Sequence, residues 1–472
     1  MGKLPLLTAL IDYHKEKNLI LSMPGNKCGI GFLGDKLGEE FVYNLGFLDI
    51  TENDPLDNLH CPEGVIKESE ELLAKTYGGK LGFFMVNGSS SGNLISIFSA
   101  FNEGDEVLVE RNCHKSIYNG LILRKLKVTY IDPVIDNKNG IFLPPNKEKI
   151  YEAFDKCKNA KGIIITNPNY FGVSYDIETI IKDLKNKGLK VIIDAAHGAH
   201  FIATNKLPKS LTSLADYIVL SAHKTLPSLT QGGYLIVNDE DSDVLFYKNT
   251  FLSTSPSYLL MASLDYARYY LDEYGENEYD KLIKLANKWK EKINCIDKVK
   301  ILSDFDLMDG YEIDKSRYVL ILDEGYSGYK LHELLRKEKV QCEMGFLRGV
   351  VLILSPFNKE EDFKKIYEVL NKINFEDIKY VGNVESFNIK TEKVFEPFEI
   401  FKKDYEFVNL KESLGRVSKE AIVPYPPGIP LICQGEVITI DAINIVKNYL
   451  ENNKDVIGIL DGKVKVIKDN KF

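Results

Sequence analysis

The chain has 472 residues, of which 44% are hydrophobic and 27% charged, and this predicts a globular protein of two or three packed units. Its formal net charge is −9 without a long basic run, which argues against nucleic acid or an anionic membrane as a partner. Seven scattered cysteines without metal-ligand spacing predict free thiols in a reducing cytoplasm and no metal site.

The first 64 residues show little regular periodicity, and we interpret them as an arm. Its apolar stretch, residues 4–10, is followed at once by charged residues and predicts neither a secretory signal nor a membrane-spanning helix. Met23-Pro-Gly-Asn-Lys27 follows later in the arm. The arm could wrap a neighbouring subunit or lie on its own chain, and the sequence leaves both interpretations open.

A serine-rich loop follows the first strand-like run. Phe83–Val86 leads into Asn87-Gly-Ser-Ser-Ser-Gly-Asn93 and then into apolar residues at helical spacing. Free backbone N–H groups and the hydroxyls of Ser89, Ser90 and Ser91 would converge at the helix N-terminus, which is typical of a phosphate site. The loop is neither a Walker loop nor a dinucleotide fingerprint, and serine is also an ordinary N-cap.

Strand-like and helical stretches then alternate, which predicts a mainly parallel α/β sheet with ligands at the carboxyl ends of its strands. The predicted strands are Val107–Val109, Val128–Ile131, Gly162–Thr166, Lys190–Asp194 and Tyr217–Leu220. We also predict a helix over Asp176–Asn186 with Asp176 as its N-cap. The polar residues that follow these strands are His114, Asp194, His197, Ser221, His223 and Lys224.

Lys224 lies between two buried strand-like runs, Tyr217–Leu220 and Tyr234–Val237. An amine held at the edge of a sheet is desolvated, which lowers its pKa and favours Schiff-base formation. A solvent-facing lysine is the alternative, and this stretch alone would favour it.

One cofactor, pyridoxal 5′-phosphate, accounts for these features together. It needs a phosphate cup, which the serine loop and Ser221 can supply, and a lysine for its aldehyde, which Lys224 can supply. It also needs a carboxylate for its ring nitrogen, such as Asp194, and a ring against its face, such as His114. Each residue alone is more simply explained as structural, but their shared position at strand ends favours the cofactor.

Beyond residue 256 the pattern predicts two further units. The helices are predicted at Ser257–Glu273, Glu278–Ile293, Lys330–Glu338, Glu360–Ile373 and Asp441–Asn452, and the strands at Val319–Leu322 and Val350–Leu354. Asp461-Gly462 predicts a two-residue hairpin. The predicted organisation is an arm (1–64), a large domain (65–256), a small α/β domain (257–373) and a C-terminal domain (374–472).

These motifs resemble the fold-type I (aspartate aminotransferase-like) pyridoxal-phosphate enzymes and, within them, the short form of the bacterial ornithine/lysine/arginine decarboxylase family. The matching stretches are Asn87–Asn93, Arg111–Ser116, Asp194–Phe201, Ser221–Leu226, Thr254–Tyr258 and Tyr425–Pro430. The resemblance covers nearly the whole chain. It implies a mainly parallel seven-stranded sheet, a smaller α/β domain and a C-terminal α+β domain.

The resemblance also implies individual roles. Lys224 would be the Schiff-base lysine, with Asp194 on the pyridine nitrogen and His114 stacked on the ring. The other residues implied at the cofactor are Ser89, Ser90, Ser221, His197 and His223, the last as a candidate proton donor. Thr254 and Ser255 would reach the cofactor phosphate of a second subunit, which implies a homodimer, or a multiple of it, with shared active sites.

The implied reaction is decarboxylation of a basic amino acid through an external aldimine and a quinonoid, with His223 or Lys224 protonating Cα. We expect arginine ahead of lysine and ornithine. Two positions depart from many relatives, Ala195 after the aspartate and Asn26 in the arm. Neither removes a group that the chemistry needs.

Two alternatives stay open. An aminotransferase would use an arginine to hold the α-carboxylate, and Arg348 lies roughly where such a residue would be, although a solvated strand entrance is the simpler interpretation. A non-catalytic dimer would lack the cofactor. The carboxylate that binds the distal cation of the substrate is also open, and the candidates are Glu436, Asp57 and Glu63.

Overall fold

The computed structural model describes residues 3–239, 243–380, 390–425, 428, 430–451 and 454–471. Residues 426, 427 and 429 of the motif Tyr425–Pro430 therefore lie outside the described residues. Within the described ranges, no helix is long and apolar enough to cross a membrane. No group of three or more His, Cys, Asp or Glu side chains in these ranges could hold a metal ion.

The N-terminal segment contains helix α1 (Pro5–Lys15), strand β1 (Leu19–Leu21), helix α2 (Lys36–Tyr43) and helix α3 (Leu45–Leu48). Helix α1 has no buried residue. Strand β1 pairs in parallel with residues 340–342 of the same chain, and the N–H of Gly25 donates to the carbonyl of His223 at 2.7 Å. This part of the arm therefore lies on its own chain.

A larger α/β unit follows. Its helices are α4 (Val65–Tyr77), α5 (Ser89–Ala100), α6 (Lys115–Arg124), α7 (Lys147–Lys156), α8 (Glu178–Asn186), α9 (Ala222–Thr225) and α10 (Val244–Phe251). Its strands are β2 (Leu81–Met85), β3 (Glu106–Glu110), β4 (Lys127–Ile131), β5 (Val134–Asp136), β6 (Ile141–Leu143), β7 (Gly162–Thr166), β8 (Val173–Tyr175), β9 (Lys190–Asp194), β10 (Tyr217–Leu220) and β11 (Gly233–Val237).

Seven of these strands form one sheet in the order β2–β11–β10–β9–β7–β3–β4. Strands β10, β9, β7, β3 and β4 are parallel, whereas β11 is antiparallel to both β10 and β2. The residues of β10 and β11 are buried throughout, as expected for apolar strands covered on both faces. The predicted mainly parallel seven-stranded sheet is confirmed, and the carboxyl ends of β3, β9 and β10 meet at one edge.

One boundary differs from the prediction. Helix α8 begins at Glu178, two residues after the predicted cap Asp176, and its N-cap residue is Ile177. The Asp176 carboxylate still accepts the N–H of Glu178 at 3.1 Å. Asp176 therefore satisfies a free N–H of the first turn although it lies one residue before the N-cap.

A smaller α/β unit follows. Its helices are α11 (Tyr258–Tyr270), α12 (Glu276–Ile293), α13 (Gly328–Lys337) and α14 (Glu360–Asn371), and its strands are β12 (Val299–Ile301), β13 (Tyr311–Ile313), β14 (Arg317–Leu322), β15 (Val340–Cys342), β16 (Met344–Phe346) and β17 (Gly349–Ile353). A π-helical stretch, Leu271–Gly275, joins α11 to α12. Strands β12–β14–β17–β16 form the sheet, and β13 pairs with β8 of the larger unit.

The C-terminal unit contains helices α15 (Pro397–Ile400) and α16 (Ile440–Glu451) and strands β18 (Tyr405–Asn409), β19 (Arg416–Ser418), β20 (Val423–Tyr425), β21 (Asp455–Ile457), β22 (Ile459–Leu460) and β23 (Lys463–Lys471). Leu460 pairs with Lys463 in antiparallel register. Between them Asp461 and Gly462 have φ angles of 48° and 71°. These positive angles are those of the tight hairpin turn that the sequence predicts.

Candidate active site

Lys224 lies on the short helix α9, where β10 turns back into β11. The turn is fixed because the N–H of His223 donates to the carbonyl of Gly232 at 3.2 Å. The Lys224 side chain is half-buried, and its Nζ lies 3.0 Å from Nε2 of His197. Desolvation, helped by the charge of Arg317, lowers the pKa of Lys224 to about 8. The amine is therefore easier to deprotonate than an ordinary lysine.

Asp194 ends strand β9 and is only 2% exposed. Its Oδ2 accepts a hydrogen bond from the amide of Asn93 at 3.0 Å, and its Oδ1 accepts the N–H of Ala196 at 3.1 Å. Asn93 is the last residue of the serine loop and lies in the first turns of α5. The loop and the carboxylate are therefore held in a fixed relation to each other.

The serine loop and the lysine turn meet at the N-terminus of α5. The hydroxyl oxygens of Ser89 and Ser221 are 2.5 Å apart, and Gly88, with a φ of 79°, makes the bend before the helix. Ser90 is exposed. The buried Ser91 instead donates its hydroxyl to the carbonyl of Gly88 at 2.7 Å. The hydroxyl proton of Ser91 is thus engaged within its own turn.

His114 caps helix α6 beside this cluster. Its Nδ1 accepts the N–H of Ser116 at 3.2 Å and lies 2.8 Å from the Ser116 hydroxyl. That hydroxyl also accepts from the amide of Asn93 at 2.9 Å. A continuous hydrogen-bonded path thus connects His114, through Ser116 and Asn93, to Asp194. Desolvation lowers the pKa of His114, which favours the neutral ring.

The other two histidines are held by different partners. Nδ1 of the half-buried His223 donates to the carbonyl of Gly232 at 2.7 Å, so Nε2 is the acceptor of the neutral ring. His197 is buried, and the ring of Tyr170 packs edge-on against it at 4.9 Å between centroids. Desolvation lowers the pKa of His223, and lowers that of His197 well below its ordinary value.

Sequence reasoning missed Arg317, which opens strand β14 of the smaller unit. Its side chain is fully buried, and its Nη2 lies 3.1 Å from Nδ1 of His197. A charged residue at the start of the apolar run Arg317–Leu322 was the available signal, because a guanidinium is rarely buried without partners. The structure thus places the smaller unit in contact with the predicted site.

Comparison with known proteins decides the family. Residues 4–332 match the model of the Orn/Lys/Arg decarboxylase major domain, and residues 384–462 match that of the Orn/Lys/Arg decarboxylase C-terminal domain. The chain belongs to the Orn/Lys/Arg decarboxylase family. This membership confirms the resemblance and the predicted class of enzyme, an amino-acid decarboxylase.

Individual relatives cover almost the whole chain. The uncharacterised protein YaaO of Bacillus subtilis is 33% identical over 98% of this chain and 97% of its own length. The arginine decarboxylase of B. subtilis is 30% identical over 99% of this chain and 98% of its own length. The lysine decarboxylase LdcF of Francisella novicida has the same fold, with a TM-score of 0.78 at 22% identity, over 98% of this chain and 81% of that one.

Two candidate carboxylates of this decarboxylase are engaged elsewhere. Glu436 is 1% exposed and accepts two hydrogen bonds from Arg111, at 2.7 and 2.8 Å. Asp57 accepts backbone N–H groups at the start of α4, among them that of Gly64 at 2.7 Å. Desolvation opposes ionisation of Asp57, but these bonds outweigh it and lower its pKa to about 2. The third candidate, Glu63, is exposed.

Arg348 is buried, and its N–H groups face Leu322 and Glu324 and not the candidate site. It is 7% exposed, and its Nε and Nη2 donate to the carbonyl of Leu322 at 3.3 and 3.1 Å. Its Nη1 lies 3.5 Å from Glu324. The predicted solvated strand entrance is therefore wrong, and these contacts argue against the carboxylate-binding role that an aminotransferase requires.

Thr254 and Ser255 are both exposed. Their loop lies beside the serine loop of its own chain, since the N–H of Ser253 donates to Asn87 at 3.4 Å. The carbonyl of Ser253 is held in turn by the His60 ring at 2.7 Å. The two side chains thus present hydroxyls to solvent next to the candidate site.

Proposed function

We propose that this family member is a pyridoxal-phosphate-dependent arginine decarboxylase that forms agmatine, with lysine and ornithine as poorer substrates. Three relatives named arginine decarboxylase, from B. subtilis, Bacillus anthracis and Halalkalibacterium halodurans, are each 30% identical over at least 95% of this chain. The relatives named lysine decarboxylase in Pseudomonas aeruginosa and Escherichia coli are 24% and 22% identical.

The single observation that carries the cofactor proposal is the convergence of Lys224, Asp194 and the Ser89–Ser221 pair at one sheet edge. The donor set fits pyridoxal phosphate because it combines an amine of lowered pKa, a buried oriented carboxylate and hydroxyls at a helix N-terminus. Lys224 would hold the aldehyde, Asp194 the pyridine nitrogen, and Ser89, Ser90 and Ser221 the phosphate. We place His114 against the ring face and His197 beside Lys224.

When bound, the cofactor supplies an electron sink for the charge that develops at Cα of the substrate. The Asp194 carboxylate is held in one orientation because Asn93 donates a hydrogen bond to one of its oxygens and the N–H of Ala196 donates to the other. Lys224 or His223 delivers the proton that Cα requires after carbon dioxide leaves. Desolvation lowers the pKa of Lys224 to about 8, so this amine can change protonation state near neutral pH. Desolvation also lowers the pKa of His223, which favours its neutral ring.

We also propose a homodimer, or a multiple of it, in which Thr254 and Ser255 complete the phosphate site of the second subunit. Their exposure beside the serine loop supports this. So does the N-terminal segment, where Leu6 is 73% exposed, Tyr43 74% and Phe47 86%, because clustered exposed apolar side chains mark interaction surfaces. A cytoplasmic location is supported by the seven cysteines, all of which are free thiols.

Borohydride reduction of the purified holoenzyme tests the site assignment. Peptide mapping should find the pyridoxyl group on Lys224, and the Lys224→Ala variant should lose both the visible absorbance of the cofactor and the label. Lys187→Ala, a change at a half-exposed lysine outside the site, should keep both. A pyridoxyl group on another lysine would refute the assignment.

A further inference from the structure

Four buried or half-buried side chains form a hydrogen-bonded row from the smaller unit to Lys224. Oδ2 of Asp314 accepts from Nε of Arg317 at 3.2 Å. Nη2 of Arg317 lies 3.1 Å from Nδ1 of His197, and Nε2 of His197 lies 3.0 Å from Nζ of Lys224. The side chains of Asp314 and Arg317 are fully buried.

The hydrogens of this row are determined by its arginine. A guanidinium has only donors and does not lose its proton in proteins, so Nδ1 of His197 must be the acceptor. The single ring proton of neutral His197 is then on Nε2, and that N–H points at Lys224. Nζ can accept it only with a free lone pair, which means as a neutral amine.

We propose that Arg317 is a positioning residue that fixes the Nε2–H tautomer of His197, and thereby favours the neutral, nucleophilic form of Lys224 in the enzyme before cofactor or substrate is attached. This inference rests on the proposed function only in that Lys224 is taken as the cofactor lysine. It deepens that function by naming what activates the amine. Without Arg317, His197 could carry its proton on Nδ1, and its unprotonated Nε2 could then accept a hydrogen bond from the ammonium form of Lys224.

Arg317 is itself locked in place by several contacts. Nη1 donates to the carbonyl of Tyr170 at 2.7 Å. Its partner Asp314 also lies 3.0 Å from Nε2 of His200 and accepts from the N–H and the hydroxyl of Ser316, at 2.8 and 2.6 Å. These bonds outweigh desolvation and lower the pKa of Asp314. A charged carboxylate therefore stays opposite the guanidinium.

Other charges also act on this pair of groups. The charges of Asp194 and Glu343 favour the ammonium form of Lys224, whereas that of Arg317 disfavours it. Lys224, Arg317, His114 and His223 all disfavour a charged His197. The effect of Arg317 on Lys224 thus has two parts, its charge and the tautomer that it imposes, and a test must separate them.

The first measurement reads the tautomer directly. The apoenzyme, labelled with ¹⁵N in its seven histidines, is compared with its His197→Gln variant to assign the His197 ring nitrogens by NMR. Wild type should carry the proton on Nε2 and leave Nδ1 unprotonated. In Arg317→Met the Nδ1–H form should become populated. A proton on Nδ1 in wild type would overturn the proposal whether or not any variant folds.

The second measurement determines the pKa of the Lys224 amine. The rate at which Lys224 of the apoenzyme is acetylated by trace acetic anhydride is followed against pH by peptide mass spectrometry. In Arg317→Met the neutral fraction at pH 7.5 should fall about tenfold for each unit by which the pKa of Lys224 rises. Arg348→Met removes another buried arginine, which contacts Leu322 instead, and it should leave the Lys224 titration unchanged.

A double-mutant cycle separates charge from tautomer. If Arg317 acts through the ring, Arg317→Met should shift the pKa of Lys224 less in a His197→Phe background than in wild type. An equal shift in both backgrounds would mean that only the charge matters, and would overturn the proposal. None of these readouts needs turnover, so an enzyme without decarboxylase activity would refute the proposed function and leave this inference to be judged separately.

Discussion

Glu436 and Arg111, which are 325 positions apart in the sequence, form a bidentate ion pair with N–O distances of 2.7 and 2.8 Å. Oε2 of Glu436 also accepts the N–H of Cys433 at 2.7 Å. Arg111 follows strand β3 directly and precedes His114 by three residues. The pair therefore fastens the C-terminal unit to the segment that carries the candidate stacking histidine.

Neutralising Glu436 should destabilise the protein more than it changes substrate binding. Glu436→Gln removes the buried charge partner of Arg111 and leaves the exposed Asp132, at 3.1 Å from Nε. Breaking a buried pair in this way costs about 3–5 kcal/mol. Thermal and urea unfolding measure the loss. The control is Glu420→Gln, which breaks a more exposed pair with Lys465 and should cost about 1 kcal/mol or less.

The kinetic readout distinguishes this structural role from the role in substrate binding that the sequence suggested. If Glu436→Gln kept full stability and raised KM for arginine strongly, the carboxylate would bind substrate, and the ion pair with Arg111 would not persist in the working enzyme.

Asp194→Asn should fold and bind cofactor but lose about 10²-fold or more in kcat, because a neutral amide cannot stabilise a protonated ring nitrogen. Steady-state kinetics and cofactor absorbance measure the two properties. Asp216→Asn is the matched control, since Asp216 is also buried but accepts the N–H of Val191 at the opposite end of β9. It should lose stability and keep kcat. A near-wild-type rate for Asp194→Asn would refute the electron-sink role.

Glu110 should make stability fall as pH rises. It is fully buried at the end of β3, where desolvation raises its pKa to about 8, against about 4.3 in an unfolded chain. Between these two pH values the folded state therefore binds one more proton than the unfolded state. The contribution of Glu110 to the free energy of unfolding is complete below about pH 4.3. It is lost by about 1.4 kcal/mol per pH unit as pH rises to about 8.

The Glu110→Gln variant should remove that slope from a plot of unfolding free energy against pH between 5 and 8. Exposed Glu103 provides the control, and Glu103→Gln should retain the slope of wild type. An unchanged slope in Glu110→Gln would show that Glu110 is ionised in the folded protein.

Mixing inactive subunits tests the shared site. Lys224→Ala and the double variant Thr254→Ala/Ser255→Ala should each have low activity, and unfolding and refolding them together should restore about a quarter of wild-type activity, because half of the dimers then contain one intact site. Activity no higher than the average of the two parents would show that each subunit completes its own site.

Much of the larger unit could be predicted because its signals are local. Strands β3, β7, β9, β10 and β11 are buried β-branched runs bounded by glycine or polar residues, so their type and order follow from neighbouring residues. The same holds for Asp194, which ends such a run, and for Lys224, which lies four residues after the end of another. The Asp461-Gly462 turn is equally local. The short strands β5, β6 and β8 were not predicted.

The remaining features depend on contacts between distant parts of the chain. Arg317 and His197 are 120 positions apart, and nothing near Arg317 in sequence indicates which histidine it will meet. Glu436 seemed a free carboxylate because its partner Arg111 lies on another unit. Arg348 seemed a solvated residue because the carbonyl of Leu322 that binds it comes from a neighbouring strand.

Decarboxylation of arginine is most directly tested by the products formed from arginine, lysine and ornithine. The holoenzyme should release carbon dioxide and agmatine from arginine, with a higher kcat/KM than for cadaverine from lysine or putrescine from ornithine. Lys224→Ala should release none of these amines. An amine from lysine without agmatine from arginine would contradict the substrate assignment, and transamination without carbon dioxide would contradict decarboxylation itself.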